Sequence, residues 1–195
     1  MTVTNFDQAV GKLQGFRASR KWYRRWLPRS AVAIILRKGK EGPEMLMIKR
    51  ADREGDPWSG HMAFPGGRAE AIDNNSLDTA QRETREEIGL DIKHHGEYLG
   101  RLSDVLSPPR VRRKALIITP HVFTIEKLPA LSINHEVAEV IWVPLRFLAD
   151  EANRETMKMQ LNIRTRILPC YFYQGRHIWG LSLRMLDELI AAIKR

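Results

Sequence analysis

Three carboxylates crowd one short stretch of the chain, Arg82-Glu83-Thr84-Arg85-Glu86-Glu87-Ile88-Gly89-Leu90. On a helix, Glu83, Glu86 and Glu87 stand at i, i+3 and i+4, and at about 100° per residue they share one face. Such a face is either solvated, with Arg82 and Glu86 paired four apart, or it is an oxygen-rich seat for a hard divalent cation, magnesium or manganese. Like charges four apart cost a helix only about 0.2–0.5 kcal/mol per pair, which a bound cation would reverse. Alone, the three acids favour the solvated face. The segment Phe64-Pro65-Gly66-Gly67 upstream moves the reading toward the cation. It predicts a tight turn that stops regular structure, with glycines that let backbone carbonyls and amides approach a metal or phosphate.

These residues need elements to hold them. Leu77 to Ile88 reads as a helix, with Asn75 or Ser76 as N-cap, Asp78 in the first turn and Gly89 as terminator. The apolar runs Ala31 to Leu36 and Met45 to Ile48, separated by Gly39 and Gly42-Pro43, predict a hairpin of central strands. Further strands are expected over Glu97 to Leu102, Ala115 to Phe123 and Val137 to Val143, and helices over Leu145 to Asp150 and Leu181 to Ile193. Phe6, Val10, Leu13 and Phe16 recur at helical spacing before Pro28. Residues 1–29 therefore read as a basic helical arm attached to one domain over 30–195. Strands alternating with helices define an α/β or α+β domain, helices covering a mixed sheet.

Composition narrows the partners. Lys and Arg total 32 against 23 Asp and Glu, a net charge of +9 that favours an anionic partner. The excess gathers at Arg17 to Arg29, interleaved with Trp22, Tyr23 and Trp26, and at Arg110, Arg112, Arg113 and Lys114. The first cluster is expected to be a solvated face whose aromatics pack on the domain. Cys170, the only cysteine, excludes an internal disulfide and a CxxC pair and reads as a buried thiol. No apolar run reaches the ~18 residues of a membrane span and the N-terminus lacks a signal core, so the expectation is a cytoplasmic protein with no membrane partner.

The segment from Gly67 to Leu90 resembles the Nudix box: Gly, five residues, Glu, seven residues, Arg-Glu-apolar-x-Glu-Glu-x-Gly-apolar. Gly67, Arg82-Glu83, Glu86-Glu87 and Gly89-Leu90 match it. Asp73 stands where the box has Glu, the gap from Asp73 to Arg82 is one residue longer, and Thr84 replaces an apolar residue. The same departures are similar to the coenzyme A pyrophosphatase-like branch. Its segment is matched from Phe64 to Asp73, and Glu136 to Leu145 and Gly175 to Gly180 also resemble it, so the similarity runs from Ala31 to Leu189. The branch's upstream pattern is only partly met, by Arg50-Ala51 and Gly60, with Arg53 out of place.

The resemblance implies a Nudix fold, a mixed β-sheet sandwiched between helices. It implies hydrolysis of a nucleoside diphosphate derivative, coenzyme A by the branch, with Mg²⁺ or Mn²⁺ held by Glu83, Glu87 and Glu86 and the carbonyl of Gly67. Glu86 would be a third ligand or a base, and Arg82 would orient Glu83 or its neighbours through a bidentate pair. Arg50, His61, Arg68 and the run containing Arg112 are candidates for substrate phosphates, Glu136 or Glu139 for a further loop acid, and Trp58 for a loop pin. ADP-ribose, a nucleotide sugar or a dNTP is the alternative substrate. A non-catalytic nucleotide- or nucleic-acid-binding protein is the alternative class, disfavoured by the three clustered acids. A homodimer is family analogy.

Overall fold

The computed structural model of the protein describes residues 3, 5–54, 59–109, 114–161 and 164–194. Trp58, Arg110, Arg112 and Arg113 lie outside the described residues. Helix α1 (Phe6–Gln14) precedes the hairpin of β1 (Arg29–Gly39) and β2 (Gly42–Arg50), in which Gly39 faces Gly42. Strand β2 also pairs with β3 (Met62–Ala63) and, farther along the chain, with β8 (Val137–Pro144). On its other side β1 runs parallel to β7 (Leu116–Ile125), which in turn pairs antiparallel with β5 (Gly96–Arg101) and β6 (Val105–Ser107). With β4 (Gly66–Arg68) on β1, these make a mixed sheet of eight strands.

Strand β1 is apolar at every position from Ala31 to Leu36 because both faces of the sheet are covered. Ala31, Ala33 and Ile35 point to the side of α2 (Ser76–Ile88) and short α3 (Ile92–His95), packing with Ala80, Ile88 and Ile92. Val32, Ile34 and Leu36 point the other way, into a larger core with α1, α4 (Leu145–Ala149) and α5 (Gly180–Lys194). This is the sandwich expected from the sequence, and Cys170 is buried as expected.

Three features differ from the sequence reading. Pro65-Gly66-Gly67 does not end regular structure, because Gly66 to Arg68 form β4 against Ser30 to Val32. A Cβ on Gly66 would sit 2.3 Å from the Ala31 carbonyl, so the glycine serves this close strand approach. Second, β9 (Arg154–Leu161), β10 (Arg164–Tyr173) and β11 (Arg176–Trp179) form a separate antiparallel sheet that the sequence reading missed. The alternation of Met157 and Met159 with charged or polar neighbours carried its signal. Third, two of the basic cluster's three aromatics do not pack on the domain: Trp22 is 77% exposed and Trp26 58%, while Tyr23 is half-buried. The inward place is taken by Arg24, whose guanidinium lies 3.6 Å from buried Asp104.

His121 on β7 ties the layers together. Its Nδ1 meets the Tyr98 hydroxyl on β5 and its Nε2 the Ser76 hydroxyl at the start of α2, each at 3.0 Å. Burial, then the nearby Arg101 and Arg24, lower its pKa from 6.5 to about 4. The folded state thus binds fewer protons than the unfolded chain, and stability is lost as pH falls from 6.5 through 4. The loss should approach about 3 kcal/mol, and His121→Gln should flatten urea midpoints measured between pH 7 and 4.5. An unchanged slope in the variant would remove His121 as the cause.

Candidate active site

Helix α2 is fixed at both ends. The Asn75 side chain accepts from the amides of Leu77 and Asp78, at 2.8 and 3.1 Å, and Gly89 closes the helix in the left-handed region at φ 69°. Thr84, where the box has an apolar residue, is fully buried, and its hydroxyl donates to the Ala80 carbonyl at 2.7 Å. The departure is absorbed within one turn of the helix.

The acids sit in three different environments. Glu87 is 4% exposed and accepts from the Gly66 amide at 2.9 Å, which binds the helix to β4. Burial pushes its pKa up to about 8, and the charges of Glu83 and Glu136 add to the rise while Arg50 opposes it. Glu83 is also raised, by burial first, with Arg82 opposing and Glu86 and Glu136 adding. Its side chain lies against Gly67, where a Cβ would fall 2.4 Å from the carboxyl carbon. Glu86 is half-exposed and receives Arg82 Nη1 at 3.0 Å.

Gly67→Ala is therefore expected to displace the Glu83 carboxylate while leaving the sheet intact. We expect hydrolysis to fall on the order of a hundredfold, with thermal unfolding shifted by only a few degrees. Full activity in the purified variant would show that the Glu83 position is immaterial.

Arg82 is the hub. The sequence reading has Arg82 orient Glu83 or its neighbours through a bidentate pair; the bidentate partner is Asp73, at 3.0 and 3.1 Å, and Nη1 reaches Glu83 at 2.9 Å. Nη2 further donates to the Arg68 carbonyl at 2.9 Å. The Arg82 guanidinium and its hydrogen bonds lower the Asp73 pKa from 3.8 to about 2. One buried side chain thus joins the loop after β4 to the helix and holds two of the acids.

Beyond β4 opens a cavity of about 600 Å³. Arg50, Arg53, Arg68 and His61 line its polar side, and Phe64, Leu116, Leu181 and Met185 are among its apolar walls. Gly66 borders it too, so the peptide that holds Glu87 also faces the cavity. His61 meets Trp179 edge-on at 4.9 Å, and the Gly67 carbonyl accepts from the Ser30 hydroxyl. Of the two loop acids, Glu136 is the one whose charge reaches Glu83 and Glu87, and Arg53 lies 3.9 Å from it. Glu139 instead forms an ion pair with Arg176 on β11. The sequence reading missed the contribution of α5 to the cavity; the matched Gly175 to Gly180 segment, which leads into that helix, was the signal.

Among the described residues no three His, Cys, Asp or Glu side chains converge to cage an ion. Arg82 and the Gly66 amide draw the three helical carboxylates toward different partners. Magnesium retains several waters and takes one or two carboxylates, so the donor set of Glu83 and Glu87 fits it. Burial beside other acids pushes the Glu87 pKa up to about 8, so the carboxyl is costly to ionise without a counter-charge, which a divalent cation would supply.

The profile of the NUDIX domain matches residues 27–160, and the chain belongs to the Nudix hydrolases, enzymes that act on phosphorus-containing acid anhydrides. Within them it falls in the coenzyme A pyrophosphatase-like branch. It is 30% identical over 158 residues to mitochondrial coenzyme A diphosphatase NUDT8 of Mus musculus, covering 78% of this chain and 72% of that protein. An uncharacterized protein of Schizosaccharomyces pombe is 38% identical over 106 residues, 53% of this chain; the match spans only 32% of that protein's length. The crystal structure of a C. elegans Ap4A hydrolase binary complex shares the fold, with a TM-score of 0.52 at 18% identity over 63% of this chain and 83% of that one. Among the described residues no helix is long and apolar enough to cross a membrane.

Proposed function

We propose that the protein hydrolyses the diphosphate of coenzyme A or its derivatives to 3′,5′-ADP and (acyl)phosphopantetheine, with Mg²⁺ or Mn²⁺. The observation that carries this reading is that Glu87 is held by the amide of Gly66, which borders a cavity rimmed by arginines and walled by apolar side chains. The similarity to a coenzyme A diphosphatase supports it. Glu83 and Glu87 would hold the cation, with Glu86 as third ligand or base on the attacking water and the Gly67 carbonyl alongside. A divalent cation bound there supplies neutralisation of the phosphate oxygens and a water of lowered pKa.

The chain's own groups do the rest. Arg82 positions Glu83 and Glu86, and Arg50 and Arg68 face the diphosphate across the cavity rim. Phe64, Leu181 and Met185 exclude water around the pantetheine arm. Lys114 would meet the 3′-phosphate. Glu136 is the further acid that faces Glu83 and Glu87. In the reaction a water oxygen bonds to one phosphorus, the bridging P–O bond breaks, and the second phosphate leaves with the bridging oxygen.

The test is incubation of the purified protein with Mg²⁺ and, separately, coenzyme A, ADP-ribose, NADH and dNTPs, products being resolved by chromatography. Cleavage of coenzyme A, lost in Glu83→Gln, upholds the reading. Cleavage of another compound alone moves the substrate, and metal-dependent cleavage of none of them would favour a binding protein.

A further inference from the structure

The segment between α1 and β1 has no part in the site above, yet the fold builds it with care. Between Gly15 and Leu36 the chain carries six cations and no acid. Asp104, whose side chain is fully buried, accepts from the Lys21 amide at 3.0 Å and from Arg101 at 2.8 Å, and Thr119 donates to it at 3.0 Å. The Asp104 amide donates to the Ser19 carbonyl, and the Ser19 amide to the Ser103 hydroxyl. A buried carboxylate thus pins residues 19 to 24 to the domain, where an unstructured linker would need no anchor. What the anchored turn presents outward is Trp22 and Trp26, ring centroids 5.4 Å apart, with the Arg25 guanidinium 4.1 Å from the Trp26 ring. Arg17, Arg20 and Arg29, near them in the chain, are exposed.

We propose that this platform docks the protein on the surface of an anionic lipid bilayer, a role independent of the substrate assigned above. Indoles favour the headgroup boundary, where an apolar ring and a polar N–H are both satisfied, and arginines around them answer the negative surface potential. The ring geometry favours a bilayer over single-stranded nucleic acid. Trp22 and Trp26 meet edge to face, at 86°, and Arg25 covers one face of Trp26, so they offer no row of parallel open faces for successive bases. The net charge of +9 works in the same direction as the local cluster.

The experiment is cosedimentation of the full chain with vesicles of phosphatidylcholine alone, and of phosphatidylcholine mixed with phosphatidylserine. Binding to the anionic vesicles only is expected, with a blue shift of tryptophan emission and release by salt at about 0.5 M. Trp22→Ser/Trp26→Ser should weaken binding by roughly tenfold or more and abolish the shift. Arg20→Ala/Arg25→Ala should weaken it roughly twenty-fivefold, at about a factor of five per charge. Both variants should keep the wild-type unfolding temperature, since the replaced side chains are exposed. Equal binding to neutral vesicles, binding unchanged in both variants, or no vesicle binding beside tight binding of a single-stranded oligonucleotide would each overturn the proposal.

Discussion

Glu87→Gln is expected to cost the enzyme hydrolysis while making its metal-free form more stable. The glutamine oxygen keeps the bond from the Gly66 amide, so the helix stays docked on β4. What it removes is a negative charge buried beside Glu83 and Glu136. The folded carboxyl titrates near 8 and the unfolded one near 4.5, so the metal-free wild type loses stability as pH rises from 4.5 through 8. The loss is up to about 5 kcal/mol, and urea unfolding at pH 8 in chelator should find the variant more stable than wild type. Activity should fall by ~10²-fold or more, because a cation's stabilisation of developing phosphate charge amounts to several kcal/mol. Adding Mg²⁺ should raise the unfolding temperature of the wild type and leave that of the variant unmoved. A variant that still hydrolyses substrate at the wild-type rate would remove Glu87 from the metal site. Glu86→Gln, its side chain being half in solvent, is the control for the stability change alone.

The sequence made α2 legible because a local pattern sets it: a cap, an apolar stripe and a terminal glycine. The same holds for β1 and β2, whose continuous apolar runs follow from burial on both faces. What was not legible depends on distant pairing. Nothing near Gly66 shows that its amide meets Glu87 twenty-one residues later, or that its backbone lies on β1. Glu136 and Glu139 read alike as loop acids, and only the strand register turns one toward the helical acids and the other toward Arg176. Asp104 gave no signal at all, since a lone aspartate in a loop looks solvated until the arm that it anchors is folded onto it.

Arg82→Ala is expected to destabilise the protein by about 3–5 kcal/mol at neutral pH, more than any surface change. Removing the guanidinium leaves the Asp73 carboxylate, 3% exposed, without its main partner, and frees the Arg68 carbonyl and two acids. In the wild type the depressed Asp73 pKa contributes stability that is present above pH 3.8 and lost as pH falls through about 2. The variant should lose that acid limb, which urea unfolding between pH 4 and 2 would reveal. Lysine at this position keeps one charge but not the fork that spans Asp73, Arg68 and Glu86, so Arg82→Lys should recover only part of the loss. The decisive measurement is Asp73→Ala/Arg82→Ala. If Arg82 acts chiefly through Asp73, the double variant is more stable than Arg82→Ala, because no carboxylate is left buried and alone. If it is no more stable, the hub's weight lies on Glu83 and Glu86, and Arg82 is then a charge that sets the acids' readiness for a cation before it is a brace for the loop.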